Sequence, residues 1–468
     1  MPVSASLEAG AGAVCDGAQR TFSRPNAAPK SVEQKEVTRM VRSAYEHLKK
    51  WKARNARRPL ILRGPLRVGK TWLMREFGKK EYASSVYVNF VNNEQMFSLF
   101  SGTPSVERIV MGLELYAGHK IDPAVTLLIF DEIQFVPQAL ACLKLFSKDA
   151  SQYHILCGSS GLDVALREGA AFPAEWVEVF DLHPMSFFEF LFAIGKDEYV
   201  TLLREHRYDL TPNYRQDYIR FLKYYFFVGG MPEAVKAFAA DRDFSAAREA
   251  QHRILAIYEQ GFSKYAPSET LPRIRMLWNS IPQQLNRENR KFVFGLLKEG
   301  ARAREFEPAL AWLTGNGLVR DIHRAAVPES PLEASEDARA FKLFLPDVGL
   351  LSCLMGLRQS MLLDDNAVFL AYHGALTEQY VLQQLDSLNQ MVICYWVAPR
   401  GTAEVEFLVD NCMDAIPVEV TAEQNLQSKK LKVFRERFQP KQSIRTSLAN
   451  YRREPGLLNL PLWAVETL

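Results

Sequence analysis

The clearest chemical pattern in this chain lies at residues 64–71, which read Gly-Pro-Leu-Arg-Val-Gly-Lys-Thr. The spacing fits GxxxxGK[ST], in which glycines let successive backbone N–H groups converge on phosphate oxygens. Lys70 would place its charge against the β- and γ-phosphates, and the Thr71 hydroxyl could bind magnesium. The apolar run at 60–62 and the helical apolar pattern at 71–77 supply the strand and the helix that such a loop requires.

The helix after the loop would also turn its positive N-terminal end towards the same phosphates. The alternative is a chance match in a glycine-containing turn, and the flanking strand and helix argue against it. The sequence therefore predicts phosphate contacts from the whole loop, namely Gly64, Pro65, Leu66, Arg67, Val68, Gly69, Lys70 and Thr71.

The apolar run at 125–130 is followed directly by two acids, Asp131 and Glu132. A buried parallel strand would deliver their carboxylates to the edge of the sheet where ligands of open α/β sheets bind. Asp131 would hold magnesium, directly or through water, and Glu132 would polarise the attacking water as the catalytic partner of Lys70. A strand that merely ends in charged residues is the alternative. It is the weaker one, because the pair follows the phosphate loop by about 60 residues, in the Walker B pattern.

The next strand is predicted at 153–157, and the small polar residues Ser159 and Ser160 follow it. Either hydroxyl could contact a γ-phosphate, and we expect Ser159 to belong to the nucleotide site. A helix cap or a turn explains both serines equally well. Arg167 could also reach a phosphate, although a surface arginine is the simpler interpretation.

The composition is that of an ordinary globular protein. Its 468 residues predict two to four domains, and 48% are hydrophobic against 24% charged. The net charge of +3 gives no argument for nucleic acid by itself. The six cysteines form no CxxC pair, which argues against a disulfide framework or a zinc site and favours a reducing cytosol. We find neither an apolar run of 18 residues nor a secretory signal, so we expect a cytoplasmic protein without a membrane span.

The N-terminal region divides into a tail and a helix. Residues 1–30 are rich in Ala, Gly, Ser and Pro and predict a disordered tail. Residues 31–57 predict one amphipathic helix with Arg42 away from its apolar face. This helix could help to enclose a nucleotide base, or it could be a solvated surface helix.

Helices are predicted to dominate the middle of the chain. The segment 181–190 predicts a short strand, a proline turn and a helix capped by Ser186. Residues 197–245 are helical in pattern, with a break before Pro232, which suits a first helical position. Residues 248–320 are predicted to be helical as well.

Within that last stretch, residues 292–320 resemble a winged helix. The helix in the recognition position, at 305–313, is acidic and apolar. We therefore interpret it as a packing module, with direct reading of DNA as the less favoured alternative.

Beyond a Pro/Glu/Ser-rich link at 327–337, the pattern changes to a helix at 374–385 followed by three short strands. The strands are predicted at 392–396, 404–410 and 416–421. This order, with acids at Glu378, Glu406 and Glu419, resembles the core of PD-(D/E)xK nucleases. In those enzymes carboxylates bind a metal that activates water, and a lysine two residues after the last acid assists.

Several motifs together resemble one family, the prokaryotic AAA-type (STAND-like) ATP-binding proteins that carry a C-terminal nuclease-like domain of unknown function. The resemblance covers roughly residues 35–465. Its generic motifs are the phosphate loop and the acids at 131 and 132. Its more specific motifs are His183-Pro-Met-Ser-Phe, Val228-Gly-Gly-Met-Pro-Glu-Ala, Gly261-Phe-Ser-Lys-Tyr265 and Gly374-Ala-Leu-Thr-Glu378.

The resemblance implies an α/β protein with a P-loop NTPase parallel-sheet core, a helical lid, a winged-helix segment and a small C-terminal α/β nuclease-like domain. It also implies ATP and Mg²⁺ as ligands. The boundaries we predict are 1–30 for the tail, 31–195 for the ATPase core, 196–270 for the helical segment, 271–326 for the winged-helix-like segment, 327–340 for a linker and 341–468 for the nuclease-like domain.

The last domain departs from the family pattern at two positions. Thr421 stands where the pattern has the lysine, and Glu406 stands where Asp is usual. Lys430 is too far along the chain to replace that lysine without evidence from a fold. Both changes argue against nuclease chemistry and leave the ATPase core untouched.

We therefore expect a Mg·ATP-binding protein that hydrolyses ATP slowly and whose nucleotide state positions the C-terminal domain for an unknown protein partner. One alternative is an ATP-regulated nuclease or nucleic-acid-binding effector, and another is a nucleotide-gated interaction platform with little turnover. Glu132 favours hydrolysis over the platform, and Thr421 disfavours the nuclease. An oligomer is compatible with the sequence.

We predict that Lys70→Ala removes most ATP binding. Losing a charge-assisted contact to the β- and γ-phosphates should cost about 1.5–3 kcal/mol. Calorimetric titration of the two proteins with Mg·ATP measures the difference, and an unchanged affinity would refute the assignment of the loop.

Overall fold

The structure, a computed structural model, describes residues 40–103, 105–161, 172–362, 374–389, 391–398, 401, 403–410, 414–422 and 429–468. The predicted tail at 1–30, the start of the predicted helix at 31–57, and Arg167 lie outside these residues.

Five parallel strands form the sheet that carries the phosphate loop. They are β1 Leu60–Arg63, β2 Ser84–Asn89, β3 Thr126–Asp131, β4 His154–Ser159 and β5 Glu178–Asp181, in the order β2-β3-β4-β1-β5. Every neighbouring pair is parallel, so all five carboxyl ends lie at one edge. The predicted parallel-sheet core is confirmed.

Helices cover both faces of this sheet, because alternate residues of its strands point to opposite sides. Leu127 and Ile129 pack with Trp51 of the first helix on one face, and Leu128 and Phe130 pack towards the other. The helices are α1 Ala44–Lys52, α2 Lys70–Glu81, α3 Glu94–Ser101, α4 Val106–Ala117 and α5 Pro137–Asp149.

Helix α1 is shorter than the predicted helix at 31–57. Residues 40–42 have no helical structure, and the helix ends at Lys52. The Arg42 side chain points into the protein and donates hydrogen bonds to the backbone carbonyls of Val68 and His183. These contacts hold the residues before the helix in a non-helical conformation.

The middle of the chain is helical, with breaks. Its helices are α6 Phe187–Ala193, α7 Asp197–Arg204, α8 Arg215–Val228, α9 Pro232–Asp241, α10 Phe244–Tyr265, α11 Leu271–Leu285 and α12 Ala303–Gly315. The capping box of Ser186 and Glu189 opens α6, and Pro232 is the first residue of α9, both as predicted.

Continuous helix over 248–320 is not what the structure shows. Residues 286–302 contain only the short 3₁₀ turn Phe294–Leu296. Hydrogen bonds to other segments hold the backbone here in a non-helical conformation. The N–H of Phe292 donates to the carbonyl of Phe341 at 2.8 Å, and the side chain of Gln284 binds both backbone groups of Val293. The first helix of the predicted winged helix is therefore replaced by a tethered extended segment.

A mixed eight-stranded sheet forms the C-terminal half. Its strands are β6 Arg320–Ala325, β7 Glu336–Phe344, β8 Val392–Val397, β9 Glu404–Asp410, β10 Ala415–Val420, β11 Ser443–Ser447, β12 Arg452–Glu454 and β13 Leu457–Pro461. The order is β12-β13-β11-β10-β9-β8-β6-β7. The hairpin of β6 and β7 therefore extends the C-terminal sheet, and β7 begins inside the segment predicted as a linker at 327–340.

In the described part of this region, the helices beside the sheet are α13 Val348–Leu354, α14 Ala375–Ser387 and α15 Lys429–Phe438. Helix α14 matches the predicted helix at 374–385, but it is not amphipathic, since residues 375–385 are all buried. Its buried glutamines are hydrogen-bonded inside the protein. Gln379 binds the backbone of Leu345 in both directions, and Gln383 accepts from the N–H of Val348.

Asp347 joins this helix to the glycine pair before α9. Its carboxylate accepts hydrogen bonds from the N–H of Gly230 at 2.5 Å, the N–H of Leu350 at 2.9 Å and the amide of Gln383 at 3.1 Å. A Cβ atom at Gly229 would lie 2.2 Å from the same carboxylate, so the close approach requires glycine.

Among the described residues, no helix is long and apolar enough to span a membrane.

Asp347 predicts a pH dependence of stability. Burial raises its pKa from 3.8 to about 6. Because the folded-state pKa lies above the unfolded one, protonation stabilises the fold, and the free energy of unfolding should rise by about 1 kcal/mol between pH 7 and pH 5. Urea titrations should show that Asp347→Asn loses this rise, whereas Asp243→Asn, at the exposed N-cap of α10, keeps it. Parallel pH profiles for all three proteins would contradict the prediction.

Candidate phosphate-binding site

The loop 64–71 leads from β1 into α2 with the geometry that a phosphate site needs. Gly69 has φ 100°, and Lys70 begins the helix directly after it. The first N–H groups of a helix have no intrahelical partner and are free to meet an anion. The Lys70 ammonium is nearly buried and donates to the carbonyls of Gly64 and Pro65 and to Oγ of Ser160, at 2.9, 3.1 and 2.8 Å.

Burial lowers the pKa of Lys70, and the nearby carboxylates of Glu132 and Asp131 oppose that effect. A buried ammonium of this kind gains from an anionic partner, because charges are expensive in a low-dielectric surrounding.

The other loop carbonyls are held by side chains from distant segments. The Arg42 guanidinium donates to the carbonyl of Val68 at 2.9 Å, and the Tyr258 hydroxyl donates to the carbonyl of Leu66 at 2.9 Å. Arg42 also binds the carbonyl of His183 and pairs with Glu189 at 3.1 Å. These contacts fix the loop from behind.

Thr71 and Asp131, the predicted magnesium ligands, are brought together. The Thr71 hydroxyl donates to Oδ2 of Asp131 at 2.6 Å, and the Tyr87 hydroxyl donates to the same oxygen at 2.8 Å. The other carboxylate oxygen of Asp131 is buried without a hydrogen-bond partner. A buried oxygen of this kind fits a cation, and Mg²⁺ commonly binds through one or two protein groups and the substrate phosphates.

Glu132 lies at the same edge in a left-handed conformation, with φ 54° and ψ 47°. Its carboxylate accepts from Oγ of Ser160 at 2.6 Å, from the N–H of Ser160 at 3.2 Å and from the amide of Gln134 at 2.6 Å. Ser160 therefore links Lys70 to Glu132. Ser159 is fully buried and donates to Gln134 at 2.8 Å, and its role as a nucleotide contact stays a prediction.

A cavity of about 570 Å³ opens beside the start of the loop. Gly64, Pro65 and Ser160 line it on the side of the ATPase core. The turn after α12 contributes Asn316, and the end of α14 contributes Asp386. The three parts of the chain therefore meet next to the phosphate loop.

The three acids of the nuclease-like pattern each lie beside a cation. Glu378 contacts Arg290 at 2.5 Å and the fully buried Lys342 at 3.4 Å, and Lys342 also contacts Glu404 at 2.5 Å. Burial opposes a charged lysine, but these carboxylates raise the pKa of Lys342. Glu419 is held by Arg445 at 2.6 Å.

Glu406 lies beside this cluster. Burial, with the charge of Glu378 nearby, raises its pKa to about 7. It accepts from the N–H of Val420 at 3.1 Å, and Nζ of Lys430 lies 3.5 Å away, so the fold does bring that lysine to the acid. The suggested convergence of Glu378, Glu406 and Glu419 on a metal is not seen. Across the described ranges, no three His, Cys, Asp or Glu side chains are grouped to hold an ion.

Sequence reasoning missed the residues that act from a distance. No local motif marks the residues that act at the loop, which are Arg42, Tyr87 and Tyr258. The same holds for two cations of the C-terminal cluster, Arg290 and Lys342. Arg42 was predicted to lie within the helix at 31–57, away from its apolar face, and that helix was equally consistent with a solvated surface position.

Three family models match separate parts of the chain. An AAA domain matches residues 56–191, a domain of unknown function (DUF8612) matches 219–361, and another domain of unknown function (DUF4143) matches 373–465. The AAA match covers the loop and both acids, which supports a P-loop ATPase fold for this part. The curated proteins contain no match to this chain.

Two solved structures are similar over most of their length. The Walker-type ATPase PABY2304 of Pyrococcus abyssi is 13% identical, with 69% of this chain and 97% of that chain covered and a TM-score of 0.41. Cdc6p from Pyrobaculum aerophilum is 12% identical, with 72% and 96% covered and a TM-score of 0.22.

The pairing of the C-terminal acids predicts that this domain binds or packs without cutting nucleic acid. Incubation of the protein with single- and double-stranded DNA and RNA, ATP, and Mg²⁺ or Mn²⁺ should leave all substrates intact. Cleavage that disappears in Glu419→Ala would contradict this prediction, because it would require Glu419 to act on a metal in spite of Arg445.

Proposed function

We propose that this chain binds Mg·ATP at the loop 64–71, hydrolyses it slowly, and uses the nucleotide state to position its C-terminal half. One observation carries the proposal: Lys70, Thr71, Asp131 and Glu132 meet at one sheet edge, joined through Ser160 and by the contact between Thr71 and Asp131. The AAA domain match over the same residues supports it.

Each group has a role that follows from its chemistry. Lys70 would exchange its contact with Ser160 for a phosphate oxygen, since an anion is a better partner for a buried ammonium. Thr71 and the unpaired oxygen of Asp131 would hold magnesium. Glu132 would act as the general base for the attacking water, once its contacts with Ser160 and Gln134 are released.

Contacts run from the loop to the C-terminal half. Gly69 lies against the ring of Pro232, because a Cβ atom there would be 3.4 Å from it. Two residues earlier, Gly230 binds Asp347 through its N–H and Met185 through its carbonyl at 2.7 Å. Asp347 in turn contacts α14 through Gln383. A shift of the loop on binding phosphate would therefore press on elements that also hold the C-terminal sheet.

The main alternative is a nucleotide-gated platform with little turnover. It is favoured by the three hydrogen bonds that occupy the Glu132 carboxylate, since a base so held is not directed at water.

A cytosolic setting is part of our proposal. It is supported by the cysteines in the described part of the chain, at 142, 157, 353 and 394, which are free and buried. A protein partner and an oligomer are compatible with it.

Glu132→Gln separates an enzyme from a platform. The amide keeps the shape of the side chain but cannot accept a proton, so Mg·ATP affinity should be retained while phosphate release falls by about 10²–10³-fold. Calorimetry and a phosphate-release assay measure the two quantities, and Lys70→Ala serves as the control that loses both. Equal release by the wild type and Glu132→Gln would show that Glu132 is not the base.

A further inference from the structure

Positive charge is concentrated near the C-terminus of the chain. Residues 429–453 contain nine lysines and arginines against one glutamate, whereas the whole chain has a net charge of only +3. The remainder of the chain therefore carries a net negative charge. Among these cations, the buried Arg445 is paired with Glu419 and Lys441 is paired with Asp414, so the positions of the others decide whether the excess forms a surface.

Helix α15 divides its side chains by polarity. Leu431 and Phe434 are buried, and the Phe434 ring meets Trp396 of β8 edge-on at 5.1 Å. Its basic residues face outwards, with 56% of the Lys430 side chain and 72% of the Lys432 side chain exposed. The helix is thus anchored through one face and presents its charges on the other.

The edge of the sheet continues this charged area. The Arg435 guanidinium donates to the carbonyl of Pro455 at 3.1 Å, so α15 lies beside the turn between β12 and β13. Strand β12 is the last strand of the sheet, and Arg452 and Arg453 are exposed on it. We call this area the basic surface and define it as Lys430, Lys432, Arg435, Arg437, Arg452 and Arg453.

We propose that the basic surface binds the phosphate backbone of a nucleic acid duplex. Ammonium and guanidinium groups spread over a helix and an adjacent strand suit a row of phosphates, which supply sequence-independent affinity. Lys430 is paired with the buried Glu406 at 3.5 Å, whereas the pairs made by Lys432 and Arg452 are at least partly exposed. Glu436 lies 3.8 Å from Lys432 and Glu454 lies 2.9 Å from Arg452, and exposed pairs of this kind are easily exchanged for phosphate.

An anionic membrane is the other polyanion with this chemistry, and the helix argues against it. A helix that lies on a membrane inserts its apolar face between the lipids. Here that face is already buried in the protein, and Val433, 38% exposed, is the large apolar side chain that α15 offers to solvent. Binding through charge alone to a regular array of phosphates fits a duplex better.

The test uses the full-length protein and a 20-base-pair fluorescent DNA duplex, with anisotropy measured at several salt concentrations. In the variant Lys432→Glu/Arg437→Glu/Arg453→Glu, affinity should fall at least about tenfold at 100 mM salt. The slope of log K against log salt should decrease by about 3, because each phosphate contact contributes about 0.9. The matched control is Lys79→Glu/Lys148→Glu/Lys236→Glu, which changes the net charge equally at exposed lysines of other elements.

The control variant should keep the wild-type affinity within a few fold. Equal losses in the two variants, unchanged affinity in the first, no duplex binding by the wild type, or binding only to anionic vesicles would each overturn the proposal. Calorimetric titration with Mg·ATP is run on the same samples. Retained ATP binding in the first variant shows that it is folded, and it separates failure at the basic surface from failure at the phosphate loop.

Discussion

The structure depends on how the backbone of the phosphate loop is satisfied. A loop that turns its N–H groups inwards to a ligand leaves its carbonyl groups facing the protein, and buried carbonyls need donors. Lys70 serves two of them, and Tyr258 and Arg42 serve two more. Two of these three donors come from segments far away in the sequence. The loop can hold its shape only when α10 and the residues before α1 are in place.

Because the loop needs these donors, several distant segments of the chain are connected around it by hydrogen bonds and ion pairs. Arg42 also holds the carbonyl of His183 and the capping carboxylate of Glu189, so it connects the loop to the start of α6. The next step passes through Gly229 and Gly230, where a side chain would collide with Asp347 at the first position and with the Met185 carbonyl at the second. Close-packed contacts transmit small displacements to their neighbours, because a densely packed interior has little free volume to absorb them. In the function we propose, a nucleotide that alters the loop would act through these contacts on elements of both sheets.

The sequence was sufficient for features whose signals are local. Apolar runs placed β1, β3 and β4 of the first sheet, the GxxxxGK[ST] pattern placed the loop, and Ser186 placed the start of α6. The acids at 131 and 132 were expected at the sheet edge and are found there, because parallel strands share one carboxyl edge.

The remaining features depend on partners that are distant in sequence. Residues 286–302 were predicted to be helical, but pairing with β7 and with Gln284 outweighs local preference. Strand β7 begins inside the Pro/Glu/Ser-rich link because strands are stabilised by their neighbours more than by composition. Helix α14 carries glutamines on buried faces, and its pattern gave no sign that Leu345 and Val348 would bind them.

The buried acids of the C-terminal half also depend on partners that are distant in sequence, in this case on positively charged side chains. A carboxylate can be buried only if its charge is compensated, and removal of one partner of a buried pair typically costs about 3–5 kcal/mol. Here the compensating groups come from outside the element that bears each acid: Arg290 follows α11, Lys342 lies on β7, and Arg445 lies on β11. Cations so placed tie the segment after α11 and strand β7 to helix α14, and strand β11 to β10. The same side chains that resemble a catalytic centre in sequence are thus members of buried ion pairs that join separate elements of the fold.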